Sequence, residues 1–261
     1  MSPEISKRVV GLEDGKLVIR EDYLSQQPET TGTESVTDAS DPAINYDGTA
    51  LACLGDTGRS LYFFSGGKGQ YLVKNKKMTA PSFDSFGWLW VAESDGAVRA
   101  YNAASTNEKE RSKGIEIPVS WRSGMTFSSL RISHDGARVV VVGTRDGTAA
   151  VVMSGVVRDS SGTPKGFTEP VRVTSSITPR TAVWAGEQNL VVVNDKTGES
   201  EVTTLSGEET KFDRLDGVKS VSAAGNTSNM LAHRSDGSCY VLEERGWNRL
   251  NTSTREMSFA G

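Results

Sequence analysis

The sequence predicts an all-β protein, a β-propeller of six blades in which the two chain ends complete one blade together. Three observations carry this expectation. Apolar runs of four to seven residues, rich in Val, Leu, Tyr and Thr, are broken throughout by Gly, Asp, Asn and Ser, and no long stretch has a helical period. Turns of Asp-Gly type recur at Asp14, Asp56, Asp95, Asp146, Asp195 and Asp236, at intervals of 42, 39, 51, 49 and 41 residues. A period of about 40–50 residues with several strands per unit is that of propeller blades. Finally, the stretch before the first full repeat and the stretch after the last are complementary pieces of one unit.

The units can be taken in order. "KRVVGLEDGKLVIRED" at the front supplies two strands around Asp14-Gly15. The acidic, Gly/Thr-rich stretch Ser25 to Pro42 links them to the first full blade, with part of it expected as an outer strand. That blade follows as "ALACLG", "SLYFFS" and "QYLVK", and the second as "WLWVAE", "AVRAYN" and "GIEIPV". The polar "STNEKERSKG", Ser105 to Gly114, reads as a loop. The third blade has strands a to d in "SSLRIS", "ARVVVVG", "TAAVVMSGVVR" and "EPVRVT". The fourth has "RTAVWAG", "NLVVVN", "SEVTTLS" and "TKFDRL", and the fifth "VKSVSAAG", "NMLAHR", "SCYVLEE" and "WNRL". "REMSFAG" then repeats the character of "TAVWAG", a first strand, and pairs with the front piece to close the ring, which removes exposed edges. The alternative is a five-bladed ring with the N-terminal hairpin packed elsewhere.

Composition narrows the function classes. The 261 residues carry 36% hydrophobic and 24% charged types, enough for a sizeable core. A net charge of -4 gives no reason to expect a nucleic-acid or anionic-membrane surface. No apolar run approaches a membrane span, and the N-terminus has no apolar signal core, so the chain by itself is expected to be soluble. Cys53 and Cys239 each sit in an apolar run and read as buried free thiols, a disulfide between them being the other reading.

No reactive constellation emerges, and no catalytic residue, metal ligand or cofactor is expected. The histidines are His134, read as a solvated turn, and His233, read as a satisfied strand position. Neither CxxC nor HExxH occurs, nor the G-x-S-x-G elbow. "SGGKGQY" lacks the helix that a phosphate loop needs and reads as a hairpin turn. The repeated aspartates lack a D-x-D-x-D pattern and read as turn formers. Trp88, Trp90 and Trp184 are expected in blade-to-blade packing. Trp121, beside Arg122 in the connection between blades two and three, has interface-like composition, with packing as the other reading.

The chain resembles the C-terminal β-propeller of the LpqB lipoproteins of actinobacteria. The resemblance is carried by "LRISHDGARVVVV", "MSGVVRDSSGTPKGFTEPVRV", "AVWAGEQNLVVV", "GVKSVSAAG" and the terminal "SFAG". It implies that residues 1–261 are a single propeller domain, a fragment of a larger lipoprotein whose signal, lipid-anchoring cysteine and smaller α/β domain are absent. It implies a place on the outer side of the cell membrane and a role beside the MtrA–MtrB two-component system. The implied partners are the extracytoplasmic part of the sensor kinase and the smaller domain of the same lipoprotein. The docking face is then expected where the d-to-a and b-to-c connections lie, with Trp121, Arg122, Arg145, Arg180 and Arg234 as candidates. The rival is a propeller that binds a small ligand or glycan, or a hydrolase acting on one. Against it, the inner strands "SSLRIS", "TAVWAG" and "KSVSAAG" contain no carboxylate.

Overall fold

A computed structural model describes residues 8–25, 27–28, 30–31, 35–194, 196–205, 209–211, 214–223, 230–243 and 246–259. Asp195 itself and the final Ala260 and Gly261 lie outside the described residues, while residues 196–198 form the expected turn. No helix among the described residues is long and apolar enough to cross a membrane.

Six antiparallel sheets form in chain order, which excludes the five-bladed alternative. β1 (Val9–Glu13), β2 (Lys16–Arg20) and β3 (Thr30–Thr31) open the chain. Blade 1 contains β4 (Ser40–Ile44), β5 (Ala50–Gly55), β6 (Ser60–Ser65) and β7 (Lys68–Val73). Blade 2 contains β8 (Ser82–Phe83), β9 (Trp88–Ala92), β10 (Val98–Asn102), α1 (Glu108–Lys113) and β11 (Ile115–Ile117). Blade 3 contains β12 (Thr126–Ile132), β13 (Arg138–Arg145), β14 (Thr148–Arg158), β15 (Pro164–Phe167) and β16 (Val171–Val173). Blade 4 contains β17 (Thr181–Ala185), β18 (Asn189–Asn194), β19 (Glu199–Thr204) and β20 (Glu209–Lys211). Blade 5 contains β21 (Val218–Ala223), β22 (Met230–Arg234), β23 (Cys239–Glu243) and β24 (Gly246–Arg249). The last strand, β25 (Arg255–Phe259), pairs antiparallel with β1, giving the closing blade the order β25-β1-β2-β3. Head and tail of the chain thus share a sheet, as the repeats predict.

Packing explains why the strands read as unbroken apolar runs. In blade 3, Val139 and Val141 face blade 2, while Val140 and Val142 face blade 4, and all four are buried. A strand sandwiched between two neighbours needs apolar residues on both sides of its pleat. The same alternation in blade 1 sends Leu51 and Cys53 toward the closing blade, and Ala50, Ala52 and Leu54 toward blade 2. Six apolar clusters fill the six blade-to-blade interfaces, so the ring is continuous. Both cysteines are free and buried. Burial pushes the Cys53 thiol up to about 12 and the Cys239 thiol up to about 11, so both stay protonated and unreactive.

Two elements depart from the expectation. Glu108–Lys113 is a helical turn rather than a loop. The Asn107 side chain caps it by accepting from the Lys109 N–H, acidic residues fill its first turn, basic ones its last, and Gly114 ends it. Those are local capping signals, which a search for apolar periodicity passes over. In blade 3, β14 runs on beyond the sheet and pairs with β15, while β16 supplies the outer strand. This extension is the insertion after "GVVRD". It lays Phe167 against Trp90 and Trp121, with ring centroids 6.1 and 6.3 Å apart, and so roofs the interface between blades 2 and 3.

Candidate functional site

The face carrying the b-to-c turns and the d-to-a connections is laced by backbone hydrogen bonds. Val36 N–H donates to the Gly15 carbonyl, Met78 to Gly58, Leu215 to Gly198 and Glu256 to Gly237. Each bond staples a connection to a turn of the blade it leaves. Gly198 shows how tight the fit is: its φ is +73°, and a Cβ there would lie 2.5 Å from the Leu215 carbonyl oxygen.

All five predicted docking residues lie on this face, though not as one patch. Trp121, Arg122 and Arg145 share the sector of blades 2 and 3, and Arg145 Nη2 donates to the Trp121 carbonyl at 3.1 Å. Trp121 is half-buried, its indole packed against Phe127 and Phe167. Arg180 is exposed on the following connection, where its carbonyl accepts from Ser128 Oγ at 2.9 Å. Arg234 sits apart in blade 5, stacked over Tyr240.

The innermost strands hold features that the sequence did not disclose. β4, β21 and β25 each carry a register shift, between Ser40 and Ala43, between Val218 and Ser220, and opposite Val10 and Leu12. Such bulges re-aim side chains, and here they bring Asp41, Lys219 and Glu256 together. Asp41 and Glu256 adopt positive φ of 51° and 52°. The Asp41 N–H donates to Glu256 Oε2 at 2.8 Å, and Lys219 Nζ lies 3.2 Å from Asp41 Oδ2 and 3.8 Å from Glu256 Oε2. The expected poverty of inner-strand carboxylates is therefore corrected: two converge on the axis, from strands that are neighbours only once the ring is closed. His233 is also corrected. It is buried beside them, the ligating atoms of Asp41, His233 and Glu256 all within 4.8 Å of one another, and its Nδ1 has no hydrogen-bond partner among the described residues.

The electrostatics of this cluster are set by Lys219, whose ammonium lies beside both carboxylates. Burial acts to raise the Asp41 carboxyl, but Lys219, aided by His233 and Arg131, outweighs it and holds the group below its ordinary value. A glycosidase needs one of its two carboxyls to keep a proton, whereas Lys219 favours the ionised form of Asp41. Asp41, Lys219 and Glu256 thus form an ion network at the hub. Burial lowers His233 below the usual imidazole value, against the opposing pull of Glu256 and Asp41. A histidine held neutral in the fold contributes its full stability above about pH 6.5, and this is lost as pH falls toward the lowered folded value. The urea-unfolding free energy is expected to fall between pH 7.5 and 5.5, at up to about 1.4 kcal/mol per pH unit for this one proton. His233→Gln is expected to flatten that slope; His134, also lowered by burial, supplies a remainder.

Toward the opposite face, the axis opens into a cavity of about 120 Å³. All six innermost strands contribute to it, with Ile44, Phe83, Ile132, Trp184, Val221 and Phe259 as apolar walls. His134 belongs to this mouth. It lies in the expected turn, but it is half-buried rather than fully solvated, its ring tilted against Tyr46 with centroids 4.7 Å apart. Trp184 packs as expected between blades 3 and 4 and also lines the cavity, its Nε1 donating to the Arg131 carbonyl at 3.1 Å.

Comparisons with known proteins agree with this architecture. A family model described as the lipoprotein LpqB beta-propeller domain matches residues 15–257. A curated lipoprotein LpqB of Streptomyces avermitilis is 26% identical over 171 residues, covering 60% of this chain and 27% of the relative. The chain therefore spans about a quarter of that relative's length. Among solved structures, TolB from Acinetobacter baumannii aligns with a TM-score of 0.69 at 17% identity, over 98% of this chain and 67% of that one. A chain of a nidogen/laminin complex aligns at 0.62 and 10% identity, over 97% and 98%. Virginiamycin B lyase from Staphylococcus aureus aligns at 0.57 and 11% identity, over 96% and 86%. At these identities the likenesses concern the fold alone.

Proposed function

Because the chain belongs to the β-propeller domain family of the LpqB lipoproteins, a class of cell-envelope proteins, we propose that it is a non-catalytic interaction module working outside the cytoplasmic membrane. Its partners are the extracytoplasmic part of a two-component sensor kinase and the smaller domain of the same lipoprotein. The family match carries this reading. The laced face supports it, since connections stapled to their turns by hydrogen bonds present a preorganised surface. Aromatic and arginine residues are the commonest anchors of such surfaces, and Trp121, Arg122 and Arg145 supply both in one sector.

The test is affinity capture on the purified extracytoplasmic part of the kinase. The propeller is expected to be retained. Replacing Arg122 and Arg145 together with alanine is expected to weaken retention by about tenfold or more, in line with interface hot spots, with the unfolding midpoint unchanged. Replacing Trp121 as well would also remove packing against Phe127 and Phe167, so the arginine pair is the cleaner probe. Retention unaffected by the pair would move the docking site elsewhere on the ring.

A further inference from the structure

The axial cavity combines apolar walls with an arginine whose donors are only partly used. Arg131 lines it, and its Nη1 donates to the carbonyls of Ala80 at 2.6 Å and Pro81 at 3.3 Å. Among the described residues, its Nε and Nη2 make no hydrogen bond. Asp41, the acidic group that acts on Arg131 electrostatically, is itself paired with Lys219 and does not take up those donors. Elsewhere on the walls, Ser82 and Ser222 accept from the backbone N–H groups of Ile132 and Phe259, so both hydroxyls keep a proton to donate. The cavity thus offers N–H and O–H donors beside an apolar wall of Ile, Phe, Val and Trp. A donor-rich spot in an apolar pocket calls for an acceptor on an apolar body, and guanidinium selects a carboxylate, which it can grip through two parallel N–H bonds. The size is comparable with the roughly 150 Å³ apolar cavities known to take a benzene ring.

We infer that the axial cavity is a binding site for a monocarboxylate carrying one aromatic or branched aliphatic group, the carboxylate on Arg131 and the apolar group against Trp184, Phe83 and Phe259. Two sources share this chemistry, a free small acid and the C-terminal residue of a peptide. The site lies on the axis, away from the face proposed for kinase docking, and stands whether or not that docking reading does.

Titration calorimetry on the 261-residue chain separates the possibilities. The probes are 3-phenylpropionate, its neutral amide, and a tripeptide ending in Phe as the free acid and as the C-terminal amide. At least one acid is expected to bind, and its amide to bind about tenfold to a hundredfold more weakly, the range for a charge-assisted hydrogen-bonded pair. Binding of the small acid as tightly as the peptide acid points to a metabolite; binding of the peptide acid alone points to a polypeptide terminus. Arg131→Gln is expected to erase the difference between acid and amide. Ser258→Phe, which fills the cavity from its wall, is expected to abolish binding. The proposal is overturned if neither acid binds, if the amides bind as well as the acids, or if Arg131→Gln retains the preference. The comparison of acid with amide on the unaltered chain decides the matter even if a variant fails to fold.

Discussion

Truncation of the chain after Thr254 is expected to destroy the cooperative unfolding transition. The deleted strand buries Met257 and Phe259 in the interface between blade 5 and the closing blade, against Val9, Leu231 and Val241. Full burial of side chains of this size is worth roughly 1.5–3 kcal/mol each, and Val9 and Val10, both fully buried, would lose their cover as well. The loss of about 5 kcal/mol or more is comparable with the whole stability of a typical domain, roughly 5–15 kcal/mol. Polar contacts would be disturbed too. Buried Arg20 donates to Thr254 Oγ1 at 2.7 Å and pairs with Glu13, which accepts from Thr254 in turn, so the two ends of the chain are tied just before the last strand begins. β1 would become a bare edge, and bare edges aggregate. Thermal unfolding followed by circular dichroism, with size-exclusion chromatography, should show a broad, non-cooperative change and higher-order species. A sharp transition within a few degrees of the full chain would mean that the ring does not depend on its seam.

The second large effect is expected at Asp84, in the a-to-b turn of blade 2. Its side chain is wholly buried and accepts from Trp90 Nε1 at 2.7 Å, from Arg158 Nη2 at 2.6 Å and from the N–H groups of Phe86 and Trp88 at 2.9 Å each. Arg158 arrives from the extension of β14, stacks under Phe86 at 4.3 Å and bonds the carbonyls of Gly136 and Gly162. One carboxylate therefore ties strand, turn and insertion across two blades. Asp84→Ala would leave a buried guanidinium and an indole N–H unpaired, a defect that costs about 3–5 kcal/mol. Asp84→Ala combined with Arg158→Met removes the orphaned charge and should recover part of that loss, because breaking a buried pair is worse than replacing it. Urea denaturation of both single variants and the double variant measures the coupling. Additive losses would show that the pair does not act as a unit.

Most of the fold was legible because blades are local. Strand, turn and strand follow within about 20 residues, and the Asp-Gly pairs mark their corners. At Asp14-Gly15 and Asp146-Gly147 both residues adopt positive φ, as tight hairpins demand. Closure was legible for the same reason, since each end piece matched one part of a repeat whose other part was missing. The axial residues were not legible, because a bulge has no local sequence mark. Asp41 stood in an apparent linker, Glu256 in a fragment, and Lys219 in an ordinary first strand. Their meeting depends on register shifts and on contacts 215 residues apart. His134 and His233 are illegible for a related reason: each is ordinary within its own repeat, and its surroundings come from other blades. Arg131, which the further inference turns on, sits within "SSLRIS", where nothing separates it from a solvent-facing arginine.

The hydrogen bond from Asp41 to Glu256 also implies a chronology. Chains emerge from the ribosome N-terminus first, so Asp41 is made 215 residues before Glu256, the acceptor of its N–H. Until Glu256 is made, the Asp41 N–H of blade 1 lacks that acceptor. The ion cluster at the hub joins blade 1, blade 5 and the closing strand, so it forms only as the ring closes.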